Sequence, residues 1–138
     1  VDERVVDKRA VDDLVAGEPV RDERAEVGRR GEAAAERRYV AHGYRVVARN
    51  WRCRIGELDL VVSRGSTLVI CEVKTRRGSR FGGGFEAVDA RKRQKLRALA
   101  EVFLQQHGGG GAAIRFDVAS VRLRSDGSAS VEVFHDAF

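Results

Sequence analysis

Three carboxylates and an amine stand inside an otherwise apolar run, GELDLVVSRGSTLVICEVKT (56–75): Glu57 and Asp59 on one arm, Glu72 and Lys74 on the other. Side chains alternate along a strand. Glu57, Asp59 and Val61 are therefore expected on one face of the first arm, opposite Leu58, Leu60 and Val62. On the second arm Leu68, Ile70, Glu72 and Lys74 are expected to share a face, opposite Val69, Cys71 and Val73. A hairpin turn centred near Gly65 sets Asp59 opposite Glu72, with Glu57 and Lys74 one step further along.

Carboxylates packed together repel and titrate upward unless a cation joins them. A hard divalent ion such as Mg2+ (or Mn2+) suits oxygen ligands. It polarises a phosphate oxygen and acidifies water, and Asp59, Glu72 and Glu57 are the residues placed to hold it. Lys74, a compact charge beside them, could orient the water or neutralise charge developing on a phosphate. The set reads as metal-assisted phosphodiester hydrolysis; the plainer alternative is a group of ion pairs at the rim of a sheet.

The elements that must position these groups are legible in the pattern. GRRGEAAAERRYVAHG, from Gly28, is a good helix with a glycine stop at Gly43, and its inward stripe of Glu32, Ala35 and Tyr39 includes an acid. YRVVARNW (44–51), ELDLVVS (57–63) and TLVICEVKT (67–75) read as three strands of an antiparallel meander. VDARKRQKLRALAEVFLQQHG (88–108) is the strongest helix, with Lys92 on the same line as Val88, Leu96, Leu99 and Phe103. RFDVASVRL (115–123) and ASVEVFHDA (129–137) make a hairpin around RSDGS. The order α-β-β-β-α-β-β predicts an α/β fold, one mixed sheet flanked by helices.

The chain has 138 residues, 43% hydrophobic and 34% charged, which fits one domain needing no disulfide or metal staple. Cys53 and Cys71 lie far apart without the tight ligand spacing of a zinc site and are expected to be structural. The stretch VDERVVDKRAVDDLV has acids where a signal peptide needs a basic start and an apolar run. No apolar stretch approaches the ~20 residues of a membrane span. The expectation is a soluble, cytoplasmic protein, with residue 1 a trimmed end or a literally translated start. Residues 1–27 carry nine acids against five bases and read as a flexible or weakly helical leader, ahead of a basic domain over 28–138. The net charge of +5 therefore understates how basic the domain is, and points to a polyanionic partner.

Asp59, the strand between, and then Glu72-Val73-Lys74 resemble the bipartite PD-(D/E)xK signature of the restriction-endonuclease-like superfamily. More closely, GRRGEAAAERRYVAHGYRVVARNWRCRIGELDLVV, LVICEVKTRR, FEAVDARKRQKLRALA and RFDV resemble the YraN-like family of uncharacterised bacterial proteins, related to archaeal Holliday-junction resolvases. The resemblance spans about residues 28–123. It implies a restriction-endonuclease-like αβββαβ core with a metal site at the bend of the central strands. Carried over by position, Asp59 and Glu72 would be metal ligands and Lys74 the catalytic lysine. Glu57 matches the family's GE(I/L)D stretch and Glu32 its helical GE, and Lys92 falls where the family adds to the site. Leu58 departs from the superfamily pattern, standing where its proline would be, and the leader before Gly28 has no counterpart. The resemblance also implies DNA as partner, branched DNA such as a Holliday junction among the candidates, and a homodimer as a candidate assembly.

Around the site, TRRGSRFGGG supplies Arg76, Arg77 and Arg80 on a glycine-rich loop, and the second helix supplies Arg91 and Lys95, all suited to sequence-independent phosphate contacts. Trp51 and Tyr39 are expected in the core rather than as base-stacking platforms, and the three histidines receive no role. Two rivals stay open: a nucleic-acid-binding module that keeps the fold without cutting, and a structural partner in a repair or replication complex.

Overall fold

Gly65, with a left-handed φ of 60°, closes the hairpin between β2 (Glu57–Arg64) and β3 (Thr67–Arg77), a conformation that glycine adopts without a Cβ penalty. The turn sets the register expected from it, running from Arg64↔Thr67 through Val62↔Val69 to Leu60↔Cys71. The computed structural model describes residues 19–78, 88–108 and 112–138, with side chains from Glu23 onward. Arg80 and residues 1–18 of the expected leader lie outside the described residues.

The elements follow as α1 (Pro19–Ala41), β1 (Arg45–Arg52), β2, β3, α2 (Ala90–His107), β4 (Ala113–Leu123) and β5 (Ala129–Phe134). They build one mixed five-stranded sheet in the order β1-β2-β3-β4-β5. The meander β1-β2-β3 and the hairpin β4-β5 are antiparallel, whereas β3 and β4 run parallel. A parallel neighbour needs a crossover, and α2 supplies it. Two boundaries differ from the sequence reading. The first helix begins at Pro19 rather than Gly28, and β3 continues to Arg77, so Arg76 and Arg77 sit on a strand end rather than in a loop.

Each face of the sheet carries its own core. Ala34, Ala35 and Tyr39 of α1 pack on Leu60, Val62, Val69, Cys71 and Ala119. Leu96, Leu99, Ala100 and Phe103 of α2 pack on Leu58, Val61, Ile70 and Val118. Tyr39 is buried in the core as expected, and Trp51, half-buried, packs against the core with its ring edge to face with Phe103 at 5.3 Å. Helix α2 is capped by Asp89, whose side chain accepts from the Lys92 N–H, and ends at Gly108 in a left-handed conformation.

On the α1 side a charge lies wholly inside the protein. Asp117 accepts hydrogen bonds from the Tyr39 hydroxyl (2.7 Å), from Nε and a terminal nitrogen of Arg115 (both 2.9 Å) and from the Asp136 N–H (3.0 Å), and His135 Nδ1 lies 2.9 Å away. Burial alone would raise its pKa, but Arg115, Tyr39 and the other partners outweigh that and hold it below the usual carboxylate value. A buried charge is tolerable when so completely paired. The network fastens α1, β4 and the C-terminal segment to one another.

Helix α1 approaches β3 closely at Gly31, where an added Cβ would fall on the Thr75 side chain. Gly31→Ala is expected to destabilise the protein by about 1–3 kcal/mol in urea melts, and Thr75→Ala, added to it, to restore part of the loss. Equal midpoints for wild type and Gly31→Ala would contradict so close an approach.

Candidate active site

The β2–β3 ladder stops at Leu60↔Cys71. At the next position, where Asp59 stands opposite Glu72, a side chain replaces the backbone: Asp59 Oδ2 accepts the Val73 N–H at 2.9 Å. Asn50 and Asp59 likewise form no bridge between β1 and β2, although pairing holds on both sides at Arg49↔Leu60 and Trp51↔Leu58. Asn50 has a positive φ of 46°, a region that asparagine enters more readily than most side chains. The two strands therefore change phase together. Leu60 and Val62 face α1, while Leu58 joins Val61 on the α2 side. The expectation that Leu58 shares a face with Leu60 and Val62 is thus corrected, because strict alternation fails where the strands are bent around Asp59.

Burial acts first on Asp59, and the Glu72 charge next; Glu32 and Glu57 add to them, against the Val73 N–H, and the carboxyl is pushed up to about 7. One acid from α1, two from β2 and one from β3 thus feel one another. Glu72 is 5% exposed, which makes its charge costly without a counter-ion. Lys92 Nζ lies 3.3 Å and Lys74 Nζ 3.7 Å from the same carboxylate oxygen, Oε2. Lys92 reaches it from α2, as its place on the apolar stripe of that helix requires.

The two outer acids are tied by a residue that sequence reasoning passed over. The Asn50 side-chain amide donates to Glu32 Oε1 and to Glu57 Oε2, both at 3.0 Å. Glu57 also has Arg52 Nε at 3.5 Å. The available signal was an asparagine in the middle of a strand, where a left-handed residue marks a break in the ladder. Among the described residues no three acidic, histidine or cysteine side chains are gathered tightly enough to hold a metal ion as they stand. Glu72 is engaged by two lysines and the outer pair by Asn50, so the acids are neighbours electrostatically without converging on one point.

The remaining expected residues spread around this centre. Arg76 and Arg77 are exposed at the end of β3, and Arg91 and Lys95 are exposed on α2, Lys95 lying over Gly56 at the start of β2. Cys71 is buried and Cys53 half-buried, both free, in keeping with structural roles. Of the histidines, His135 does have a partner, Asp117, and His107 stacks on Phe103 at 4.1 Å. Among the described residues no helix is long and apolar enough to cross a membrane.

Because Asp59 titrates near 7 in the folded chain against an ordinary value of 3.8, the native state holds its proton more tightly than the unfolded chain does. Its contribution to stability is therefore full below about pH 4 and falls as pH rises towards 7. In chelating buffer, Asp59→Asn is expected to match wild type near pH 4 and to exceed it by on the order of 1–3 kcal/mol near pH 8. Parallel pH–stability curves from denaturant melts would contradict this.

Comparison with known proteins agrees on one family. A family model described as "Uncharacterised protein family UPF0102" matches residues 31–121, a span running from Gly31 to near the end of β4 and containing every acid and lysine of the cluster. A UPF0102 protein of Parafrankia sp. (strain EAN1pec) is 49% identical over 112 residues, covering 81% of this chain and 95% of the relative. One from Acidothermus cellulolyticus is 42% identical over 125 residues, covering 83% and 95%, and one from Moorella thermoacetica 46% identical over 112 residues, covering 80% and 93%. The chain belongs to the UPF0102 family.

Proposed function

We propose that this chain hydrolyses phosphodiester bonds in DNA with a divalent cation, Mg2+ or Mn2+, on a fold of the restriction-endonuclease-like kind. The observation that carries the reading is the opposition of Asp59 and Glu72 where the central strands part, with Lys74 two residues beyond. The acids do not converge as they stand, but the chemistry of the donor set suits such an ion: two carboxylates on partly buried strands, one of them pushed up to about 7 by burial and its neighbours, lose their mutual repulsion when a hard cation joins them. Asp59 and Glu72 would hold it, with Glu57 close by. When bound, the ion supplies a Lewis acid that draws charge from a phosphate oxygen and acidifies water.

The rest of the chemistry falls to the chain's own groups. Lys74 carries a compact positive charge beside Glu72, suited to orienting the attacking water and to stabilising charge gained by the phosphate. Lys92 does the same from α2. Asn50 keeps Glu32 and Glu57 at the edge of the site. Exposed Arg76, Arg77, Arg91 and Lys95 offer contacts to the backbone of the substrate, which says nothing about its sequence. Branched DNA is the substrate suggested by the resemblance to resolvases, and the arrangement of the site is neutral on it.

One observation favours the second reading, a nucleic-acid-binding module without cleavage: two lysines answer the charge of Glu72. A cleavage panel over duplex, flap, four-way and single-stranded DNA with Mg2+ and Mn2+ separates the two. At least one substrate is expected to be cut, and Lys74→Ala to cut it about 100-fold or more slowly while still binding it. Salt-dependent binding with no cutting of any substrate would install the second reading instead.

A further inference from the structure

At the C-terminal ends of β3 and β4, a few residues beyond Glu72 and Lys74, the protein gathers charge of the opposite sign. Arg30 of α1, Arg77 of β3, Arg122 of β4 and Arg124 just beyond it line one hollow of about 680 Å³, with Gly78, Leu123, Ser125 and Gly127; among the described residues no carboxylate lines it, although Asp126 of the same turn offsets part of the Arg124 charge. Its walls are held in place. The Gly78 N–H donates to the Leu123 carbonyl at 3.0 Å, tying the two strand ends, and the Arg124 N–H donates to the Ser128 carbonyl at 2.8 Å, closing the β4–β5 turn. Gly31 seats α1 on β3 at Thr75, and Arg30 and Arg77 line the same hollow. Among the described residues neither Arg30 nor Arg77 forms an ion pair.

Like charges collected on one hollow repel unless an ion of opposite sign joins them, the argument that applies to the acids. Guanidinium groups pair with phosphate oxygens two at a time, which makes phosphate the natural occupant. The hollow has the size of a small-ligand site rather than of a lone ion, yet among the described residues no aromatic ring lines it to stack a base. That combination suits phosphate and sugar rather than a nucleobase. Arg122 also lines a smaller neighbouring hollow with Arg76, where Glu132 adds a carboxylate and the purely basic lining ends.

We propose that this arginine hollow is an anchoring site for the phosphodiester backbone of a nucleic acid, separate from the acidic cluster. Arg77 lies three strand residues beyond Lys74, roughly 10 Å along β3. Strand alternation puts Lys74 on the α2 face and Arg77 on the α1 face, so a backbone held at the hollow crosses the strand end to reach the acidic cluster. The hollow holds that backbone by its charge and shape, and so positions the phosphate that reaches the acidic cluster. The inference rests on the reading of the chain as a DNA-acting protein.

The test is anisotropy of a fluorescein-labelled DNA duplex in chelating buffer across a range of salt. The triple variant Arg30→Gln/Arg77→Gln/Arg124→Gln is compared with wild type, folding being checked by circular dichroism. The triple variant is expected to bind at least about tenfold more weakly and to lower the slope of log K against log salt by about two to three, while its affinity for Mn2+ stays that of wild type. Tight, salt-dependent binding that is equal in both proteins would overturn the hollow and leave the DNA reading standing. Absence of duplex binding by wild type at low salt would defeat the DNA reading and the backbone anchor together. Inorganic phosphate, followed by NMR of the arginine Nε–H signals, then decides what remains: shifts confined to these arginines would reassign the hollow to free phosphate, and no shift would remove the site altogether.

Discussion

Repulsion among four carboxylates at the mouth of a sheet is the constraint around which this protein is arranged. Asp59, Glu72, Glu57 and Glu32 lie in a partly buried region where the interaction between charges is far stronger than in water. Each is answered locally, but only in part. The Val73 N–H binds Asp59, Lys74 and Lys92 flank Glu72, and Asn50 spans Glu57 and Glu32. The sheet itself yields to this arrangement: β2 stops pairing with β3, and β1 and β2 change phase together, at the residue that carries the central carboxylate. A fold that bends two strands and spends two lysines on a single point has concentrated there what a divalent cation and an anionic substrate would relieve.

The frame that holds this point is rigid where it must be. Gly31 lets α1 sit directly on β3 beside Glu32, and α2 delivers Lys92 from the opposite face. Asp117 fastens α1 to β4 through Tyr39 and to the chain end through Asp136. The two charged groupings behave differently for a physical reason. Asp117 is fully satisfied by protein donors and leaves no valence for a ligand, whereas the carboxylates around Asp59 are only partly answered. Incomplete compensation, rather than charge as such, distinguishes a site from a structural ion pair.

The hairpin was legible in the sequence because one glycine, Gly65, fixes its turn, and from the turn the opposition of Asp59 and Glu72 follows. Lys92 was legible for a similar reason, its apolar stripe leaving only one direction for the side chain. The change of phase at Asn50 and Asp59 was not, since alternation is a rule for regular strands and the side-chain bond from Asp59 to Val73 is what breaks it. The start of α1 at Pro19 was hidden by a charged sequence with little apolar stripe; such a segment shows helix only through propensity, the weaker signal. Asp117 could have been found by the logic that found Glu72, as an acid inside an apolar strand with Arg115 two residues before it on the same face.

Isothermal titration of Mn2+ into wild type and into Asp59→Asn measures the central claim most directly, because it asks whether these carboxylates accept a cation before any question of substrate arises. The account predicts that one ion binds wild type and that the substitution weakens it by about tenfold or more. Equal affinity in the two proteins, or no binding to either, would contradict it.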